Sequence, residues 1–300
     1  MDNDTIEKYR RAGRVAADVR TYGVSLIKEG SRFVDVANAI ETRILKQECS
    51  IAFPVNISRN EIAAHYSPRH DDLSVFRKGD VIKLDVGVHV DGFIADTTTT
   101  VEVGTSQYTK LIAASKTALD NAILQVRNHA SVTDVGKTIE ETIRSYGFTP
   151  IDNLTGHSMA RYVLHAGLSI PNITDTAFST VKLKSGDVVA IEPFASDGAG
   201  HVISGSGSNI YLYIDSLKGK LVRDQQARMA LQKIKTTFTS LPFAQRWCMK
   251  NFSNADTVLK KLSFSGLLKH YPQLIDKEKG MVSQAEHTLL VTEDGCEVIT

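Results

Sequence analysis

The chain has 300 residues, of which 42% are hydrophobic and 23% charged, and its formal net charge is +1. A net charge this small excludes a global electrostatic attraction to nucleic acid. The N-terminus is charged from its first residues and no apolar run approaches about 18 residues, which excludes a secretory signal and a membrane span. Three scattered cysteines without a CxxC pair indicate reduced thiols, so we expect a cytoplasmic protein that does not bind membranes.

The N-terminal part of the chain predicts two helices followed by a loop. Apolar residues recur at helical spacing over residues 4–28 and again over 32–47, where Ser31 is a suitable N-cap. Residues 51–68 contain two prolines and show no clear period, so we expect them to be irregular.

Residues 81–103 predict a β-hairpin that carries two carboxylates. Asp91-Gly92 between two apolar runs is a strong signal for a type I′ turn, and a two-residue loop there sets the register. The residues that this register places on one face are Asp85, Gly87, Asp96 and Thr98. Two buried carboxylates so close repel one another and need a proton, a base or a metal, unless a bulge exposes one of them. Gly87 leaves space opposite Asp96 that another group could enter.

Further elements follow the hairpin at ordinary spacing. They are predicted helices over 108–130 and 131–148, a strand over 186–194, and a terminal hairpin over 285–300 that turns at Asp294-Gly295. Ser131 or Thr133 is expected to cap the second helix, and Gly147 to close it. Pro193 is expected to stop the strand.

A short internal repeat indicates a duplicated unit. Gly79–Asp85 reads GDVIKLD and Gly186–Glu192 reads GDVVAIE, so each copy is a turn and a strand that finishes in a carboxylate. A pair of predicted helices precedes each copy, and a histidine, His65 or His165, lies upstream in a predicted loop. The repeat predicts two halves that face each other across a pseudo-twofold axis, with the two terminal carboxylates approaching one cleft.

Residues 215–270 interrupt this repeat pattern. Positions 216–270 hold 11 Lys or Arg and only 2 Asp, and their apolar spacing is helical. We therefore expect a mostly helical subdomain inserted between strands of the second half. Its basic surface is either simply solvated or contacts RNA.

The carboxylates of the repeat belong to a larger set of metal-ligating residue types. The candidate ligands are Asp85, Asp96, His157, Glu192 and Glu286. Carboxylates and an imidazole without a thiolate suit a pair of divalent transition metals better than a structural zinc ion. Such a pair lowers the pKa of water and supplies a nucleophile for a carbonyl or phosphoryl centre. Each of these residues alone would more often be a structural salt-bridge or hydrogen-bond partner.

Five segments together resemble the type II methionine aminopeptidases. They are FPVNISRNEIAAHYSP, KLDVGVHVDGFIADTTTTV, NLTGHSMARYVLHAG, AIEPF and AEHTLLV, which lie in the family's order between residues 53 and 291. The short N-terminus resembles that of archaeal members. The resemblance implies an α/β (α+β) pita-bread fold: two pseudo-twofold-related halves with a curved antiparallel sheet covered by helices. Residues 1–300 would form one catalytic domain, with the type II helical insertion at 215–272.

The resemblance also assigns a role to each motif residue. Asp85 would bind one metal, and Asp96 and Glu286 would bridge both. His157 and Glu192 would bind the second metal. The implied catalytic residues are His65 and His165 at the scissile amide and Glu192 as proton shuttle; the implied substrate-binding residues are His65, His165, Phe53, Leu164 and Tyr271.

The implied activity is hydrolytic removal of the initiator methionine from nascent chains whose second residue is small. The cofactor would be two divalent ions, Co, Mn, Fe or Zn. The protein would be a monomer, with possible ribosome association through the basic insertion 216–270. Two alternatives remain open: an Xaa-Pro aminopeptidase or prolidase of the same fold, which usually carries an extra N-terminal domain, and a non-enzymatic pita-bread binding protein.

Overall fold

The fold is seen in a computed structural model that describes residues 1–215, 222, 224–249, 252 and 254–300. The helices are α1 (Asn3–Leu26), α2 (Phe33–Lys46), α3 (Thr109–Ile123), α4 (Val132–Ser145), α5 (Gln225–Phe238), α6 (Gln245–Met249) and α7 (Ala255–Phe264), with a short 3-10 helix at Thr176–Phe178. The first strands are β1 (Ser50–Arg59), β2 (Ile62–Ala64), β3 (Val81–Val90), β4 (Phe93–Glu102), β5 (Thr149–Pro150), β6 (Thr155–Ser158), β7 (Ser169–Pro171) and β8 (Val188–Ile191). The later strands are β9 (Phe194–Ser196), β10 (Val202–Tyr213), β11 (Phe243–Ala244), β12 (Leu268–Asp276), β13 (Val282–Gln284), β14 (His287–Val291) and β15 (Cys296–Val298).

The strands pair antiparallel and curve around a central cavity. Their orders are β1-β3-β4, β11-β10-β12-β2, β13-β9-β5 and β15-β14-β8-β6-β7. Helices α1 and α2 pack on β1, β3 and β4 and bury one hydrophobic core, whereas α3 and α4 pack on strands of the second half and bury another. This arrangement confirms the predicted α+β fold of two helix-covered halves.

The two copies of the repeat occupy matching places in the two halves. Gly79 and Gly186 have φ of 88° and 92°, a conformation that glycine adopts without strain, and each precedes its strand, β3 or β8. The carboxylates at the ends of the copies, Asp85 and Glu192, line the same cavity. The duplication therefore brings two acidic side chains to one cleft.

The hairpin of β3 and β4 has the predicted register. Val90 pairs with Phe93, as a two-residue loop requires, and Asp91 and Gly92 have φ of 51° and 88°, as in a type I′ turn. The same ladder pairs Asp85 with Thr98 and Gly87 with Asp96, so the two carboxylates lie on one face.

The prediction of an irregular loop over 51–68 is wrong, because β1 and β2 occupy most of it. Residues 52–58 of β1 are all buried, as in a strand covered on both faces, and Pro54 lies where the pairing with β3 shifts register between Phe53 and Asn56. A proline lacks the N–H that a regular ladder would use, so it is tolerated at such an irregularity.

The helix predictions hold in position but not at every end. Helix α2 begins after Arg32 rather than at Ser31, and no side chain caps it. Helix α3 ends at Ile123, well before the predicted residue 130. Ser131 stands at the N-cap position of α4 without a capping side-chain bond, and Gly147, with φ of 83°, follows its last turn as predicted.

The segment between β10 and β12 contains α5, α6 and α7 and a core of its own. It also contains β11, which extends the sheet by pairing with β10. β12 begins at Leu268, ahead of the predicted boundary at 272. Residues 216–221, 223, 250–251 and 253 of this segment lie outside the described residues. Across the described ranges, no helix is both long and apolar enough to cross a bilayer.

Candidate metal centre

One cavity collects every residue that the sequence predicted for the site. It encloses about 550 Å³ of space, including its open mouth. The predicted residues that line it are Phe53, His65, Asp85, Asp96, His157, Leu164, His165, Glu192, Tyr271 and Glu286. They come from both halves of the fold and from β12, so only the tertiary structure brings them together.

The five candidate ligands form a compact cluster in which Asp96, His157 and Glu286 are buried and Asp85 and Glu192 are partly buried. His157 Nε2 lies 3.6 Å from Asp96 Oδ2 and 3.8 Å from Glu192 Oε1. One ligand atom from each of Asp96, His157 and Glu286 lies within 4.8 Å of the other two. Asp85 lies on the same face of the hairpin as Asp96 and lines the same cavity.

Neutral neighbours orient the carboxylates. Thr98 Oγ1 donates a hydrogen bond of 2.6 Å to Glu286 Oε2, and Gln284 Nε2 donates one of 3.1 Å to Glu192 Oε2. The backbone N–H of Asp96 donates to Thr288 Oγ1 at 2.8 Å. These contacts fix the side chains and the strand without adding positive charge to the cluster.

The electrostatics of the cluster are unfavourable without a cation. Burial raises the pKa of Asp85 to about 7. Burial, followed by repulsion from the other carboxylates, raises the pKa of Asp96, Glu192 and Glu286 well above its ordinary value. Burial lowers the pKa of His157 to about 3, so this imidazole is neutral and can act as a ligand.

The residues present fit divalent metal ions. Asp85 Oδ1 and Asp96 Oδ1 are buried and have no hydrogen-bond partner, although buried carboxylate oxygens are normally satisfied. Carboxylates and a neutral imidazole are the donor set of Mn, Fe, Co and Zn sites. The cluster of buried Asp, His and Glu side chains can therefore bind metal.

The two histidines of the motifs lie beside this cluster. The His165 ring lies 4.3 Å from that of His157, and the His65 ring lies 5.4 Å from that of Tyr271. Burial lowers the pKa of His65 to about 4, with smaller contributions from His165 and Lys269, so His65 is neutral at physiological pH. Both rings can exchange hydrogen bonds with a group held in the cavity.

The space beside Gly87 is already filled. A Cβ at this position would lie 2.1 Å from the Phe53 ring, which packs across from it where β1 pairs with β3. The prediction that Gly87 leaves room for another group is therefore met by Phe53, a side chain of the same protein. Leu164 and Tyr271 line the same cavity as Phe53.

Sequence reasoning missed several residues of the site. Asn56 pairs with Asp85 across β1 and β3, lines the cavity and has an unpartnered Oδ1. It was missed because its segment was predicted to be a loop; a single polar residue between the apolar Val55 and Ile57 was the available signal. Gln284, Ile210 and Pro242 also line the cavity and belong to no motif.

The fold and the buried acidic cluster define the class of the protein. The family model for "Metallopeptidase family M24" matches residues 7–293. The chain therefore belongs to metallopeptidase family M24. Within that family it is a member of the methionine aminopeptidases, with relatives 40–45% identical over essentially the whole chain.

One such relative is the methionine aminopeptidase of Thermococcus onnurineus, 45% identical over 99% of this chain and 100% of its own length. Among solved structures, a thermophilic Arx1 superposes with a TM-score of 0.85 at 15% identity, covering 100% of this chain and 91% of that one. The methionine aminopeptidase of Thermotoga maritima superposes with a TM-score of 0.73 at 23% identity, covering 100% and 98%. At these identities the two superpositions support the fold alone.

Proposed function

We propose that this chain hydrolyses the peptide bond after an N-terminal methionine, in proteins and peptides whose second residue is small, with two divalent metal ions as cofactor. The observation that carries the proposal is the meeting of Asp85, Asp96, His157, Glu192 and Glu286 in one cavity. The methionine aminopeptidases, 45% identical in one case, support the choice of substrate.

The five ligand residues would hold the ions. Divalent ions, when bound, lower the pKa of water towards neutrality and polarise a carbonyl group. Asp96 and Glu286, each near His157, are the side chains we assign to both ions. Asp85 would complete one site, and Glu192 with His157 the other. Mn, Fe, Co and Zn all suit this donor set.

The side chains of the cavity would stabilise the developing charge, transfer the proton and bind the methionine side chain. Neutral His65 or His165 donates a hydrogen bond to the carbonyl oxygen as it gains negative charge. Glu192, whose Oε2 accepts a hydrogen bond from Gln284, would accept a proton from the attacking water and pass it to the leaving amine as the C–N bond breaks. Phe53, Leu164 and Tyr271 would enclose an unbranched apolar side chain, which methionine fits by its flexibility.

The test is hydrolysis of matched peptides by protein stripped of metal and reloaded with Mn, Co, Fe or Zn in turn. We expect release of methionine from Met-Ala-Ser and no cleavage of Gly-Pro. Cleavage of Gly-Pro in preference to Met-Ala-Ser would identify a prolidase instead. Metal that binds without any turnover would identify a non-enzymatic relative.

We further propose that the substrates are nascent chains in the cytoplasm, that the protein acts as a monomer, and that the basic segment 216–270 contacts the ribosome. Lys260 and Lys261 lie exposed on α7, although Lys261 pairs with Asp224 at 2.6 Å. Salt-sensitive cosedimentation with ribosomes should fall when both become Glu. Cosedimentation that is unchanged by the two substitutions and by salt would contradict the contact.

A further inference from the structure

The metal cavity continues outward into a second, open cleft. His65, Leu164, His165, Pro242 and Tyr271 line both spaces, so the two are continuous. The acidic cluster lies at the inner end. A peptide held by its N-terminal residue at that end can therefore extend through the outer cleft, past the histidines.

Lys269 lines this outer cleft. It lies two residues before Tyr271 on β12, so both side chains project from the same face of the strand. Lys269 Nζ lies 4.5 Å from the centre of the Tyr271 ring. The ammonium group is thus held by a cation–π contact beside the wall that borders the histidines.

The outer cleft offers Lys269 no negative partner. None of its other lining residues is acidic. Among the described residues, no carboxylate lies within ion-pair distance of Lys269. By contrast, Lys235 and Lys261 of the same inserted segment pair with Asp215 and Asp224.

An exposed ammonium group at the exit of a peptide-binding cleft attracts negative charge on the departing chain. We propose that Lys269 is a specificity-determining residue that favours substrates with Asp or Glu at the third or fourth position. The proposal rests on the proposed function, because it assumes that the peptide is bound by its N-terminus at the acidic cluster. It adds a preference for charge beyond the small second residue.

The test compares amidated peptides, so that no C-terminal carboxylate contributes. Met-Ala-Ser-Gly-Gly amide is the neutral reference, and Asp or Lys replaces Ser or the following Gly. With the wild-type protein, kcat/KM for the better Asp peptide should exceed the reference by about 2- to 5-fold, as expected of an exposed ion pair. The advantage should shrink in 0.5 M NaCl, which screens exposed charges.

Variants assign the effect to one side chain. Lys269→Gln should remove the preference for Asp, and Lys269→Glu should reverse it in favour of Lys, with the neutral peptide still cleaved. Lys260→Glu, an exposed lysine on α7, is the matched control and should leave the preference unchanged. The same charge preference in wild type and Lys269→Gln would overturn the proposal while leaving the activity established. Failure of the metal-loaded wild type to cleave any of the peptides would overturn both proposals.

Discussion

Asp96 shows how the chemistry depends on single residues. The residue is 4% exposed, its Oδ2 lies 3.6 Å from His157 Nε2 and its Oδ1 has no hydrogen-bond partner, while its backbone is tied to Thr288. The strand therefore holds the residue in place independently of its charge. A change of charge at this position should affect ligation far more than folding.

We predict that Asp96→Asn abolishes turnover while the fold persists. An amide cannot supply the second anionic oxygen that a ligand shared by two ions needs, so kcat/KM should fall by at least ~100-fold, more than loss of an outer-shell partner typically costs. Peptide hydrolysis, bound metal and circular dichroism measure the three quantities. A rate near that of the wild type would contradict the bridging role.

Asp85 gives a test through the pH dependence of stability without metal. Its pKa is raised to about 7 from an ordinary 3.8, so the folded metal-free protein is stabilised by the protonated form below about pH 4 and loses that contribution as pH rises through 7. Asp85→Asn should therefore leave metal-free stability unchanged near pH 4 and raise it by roughly 1–3 kcal/mol at pH 8.

Denaturant unfolding in the presence of a chelator measures this difference. With saturating Mn the order should reverse, because only the wild type retains the full ligand set and ligand binding stabilises the folded state. If Asp85→Asn is no more stable than the wild type at pH 8 without metal, the ionised Asp85 side chain does not destabilise the folded protein.

At the scale of elements, the close contact of β1 with β3 shapes the substrate pocket. Phe53 crosses over Gly87, which pairs with Asp96 on the other side. Because Gly87 has no side chain, the Phe53 ring can pack against β3, next to the strand that carries Asp96. Even a methyl group would not fit at Gly87, because the Phe53 ring atoms occupy that space.

Gly87→Ala should displace the Phe53 ring into the cavity. We expect a loss of about 1–3 kcal/mol in stability, as for overpacked cores, and a larger rise in KM for methionyl peptides than fall in kcat. Gly295→Ala is the control, because nothing lies within 4 Å of a Cβ there. Equal stability and KM in the two variants would show that the ring moves aside freely.

At the scale of the whole molecule, a buried ion pair ties the inserted segment to the first half. Arg246 of α6 and Glu41 of α2 are 3% and 5% exposed and hydrogen-bond to each other. Glu41 also accepts hydrogen bonds from Trp247 Nε1 at 2.8 Å and from the Val55 backbone at 3.2 Å. This network holds the segment that supplies Pro242 to the cavity.

Glu41→Gln should destabilise the protein by about 3–5 kcal/mol, because it leaves the Arg246 guanidinium buried without its counter-charge. Glu48→Gln is the matched control, since the exposed pair of Glu48 with Arg11 at 3.7 Å is worth ~0–1 kcal/mol. Urea unfolding midpoints compare the two. A loss in Glu41→Gln no larger than in the control would mean that the pair does not hold the segment.

Local sequence patterns were sufficient to predict the β3–β4 register, to detect the repeat and to recognise the family. Asp91-Gly92 accepts positive φ and so sets the pairing of Asp85 with Thr98, and motif order identified the candidate ligands. The prediction of a loop over 51–68 failed because the strand there depends on pairing with β3 and is interrupted at Pro54. Local propensity does not reveal such a pairing.

Only the tertiary structure placed Asn56 opposite Asp85, filled the space at Gly87 with Phe53, and brought Lys269 to the mouth of the cleft. The physical reason is that turn and strand preferences act between neighbours along the chain, whereas a cavity is formed by residues far apart in sequence. The curvature and packing of the sheets decide which of these distant residues meet. A local sequence pattern does not determine that curvature.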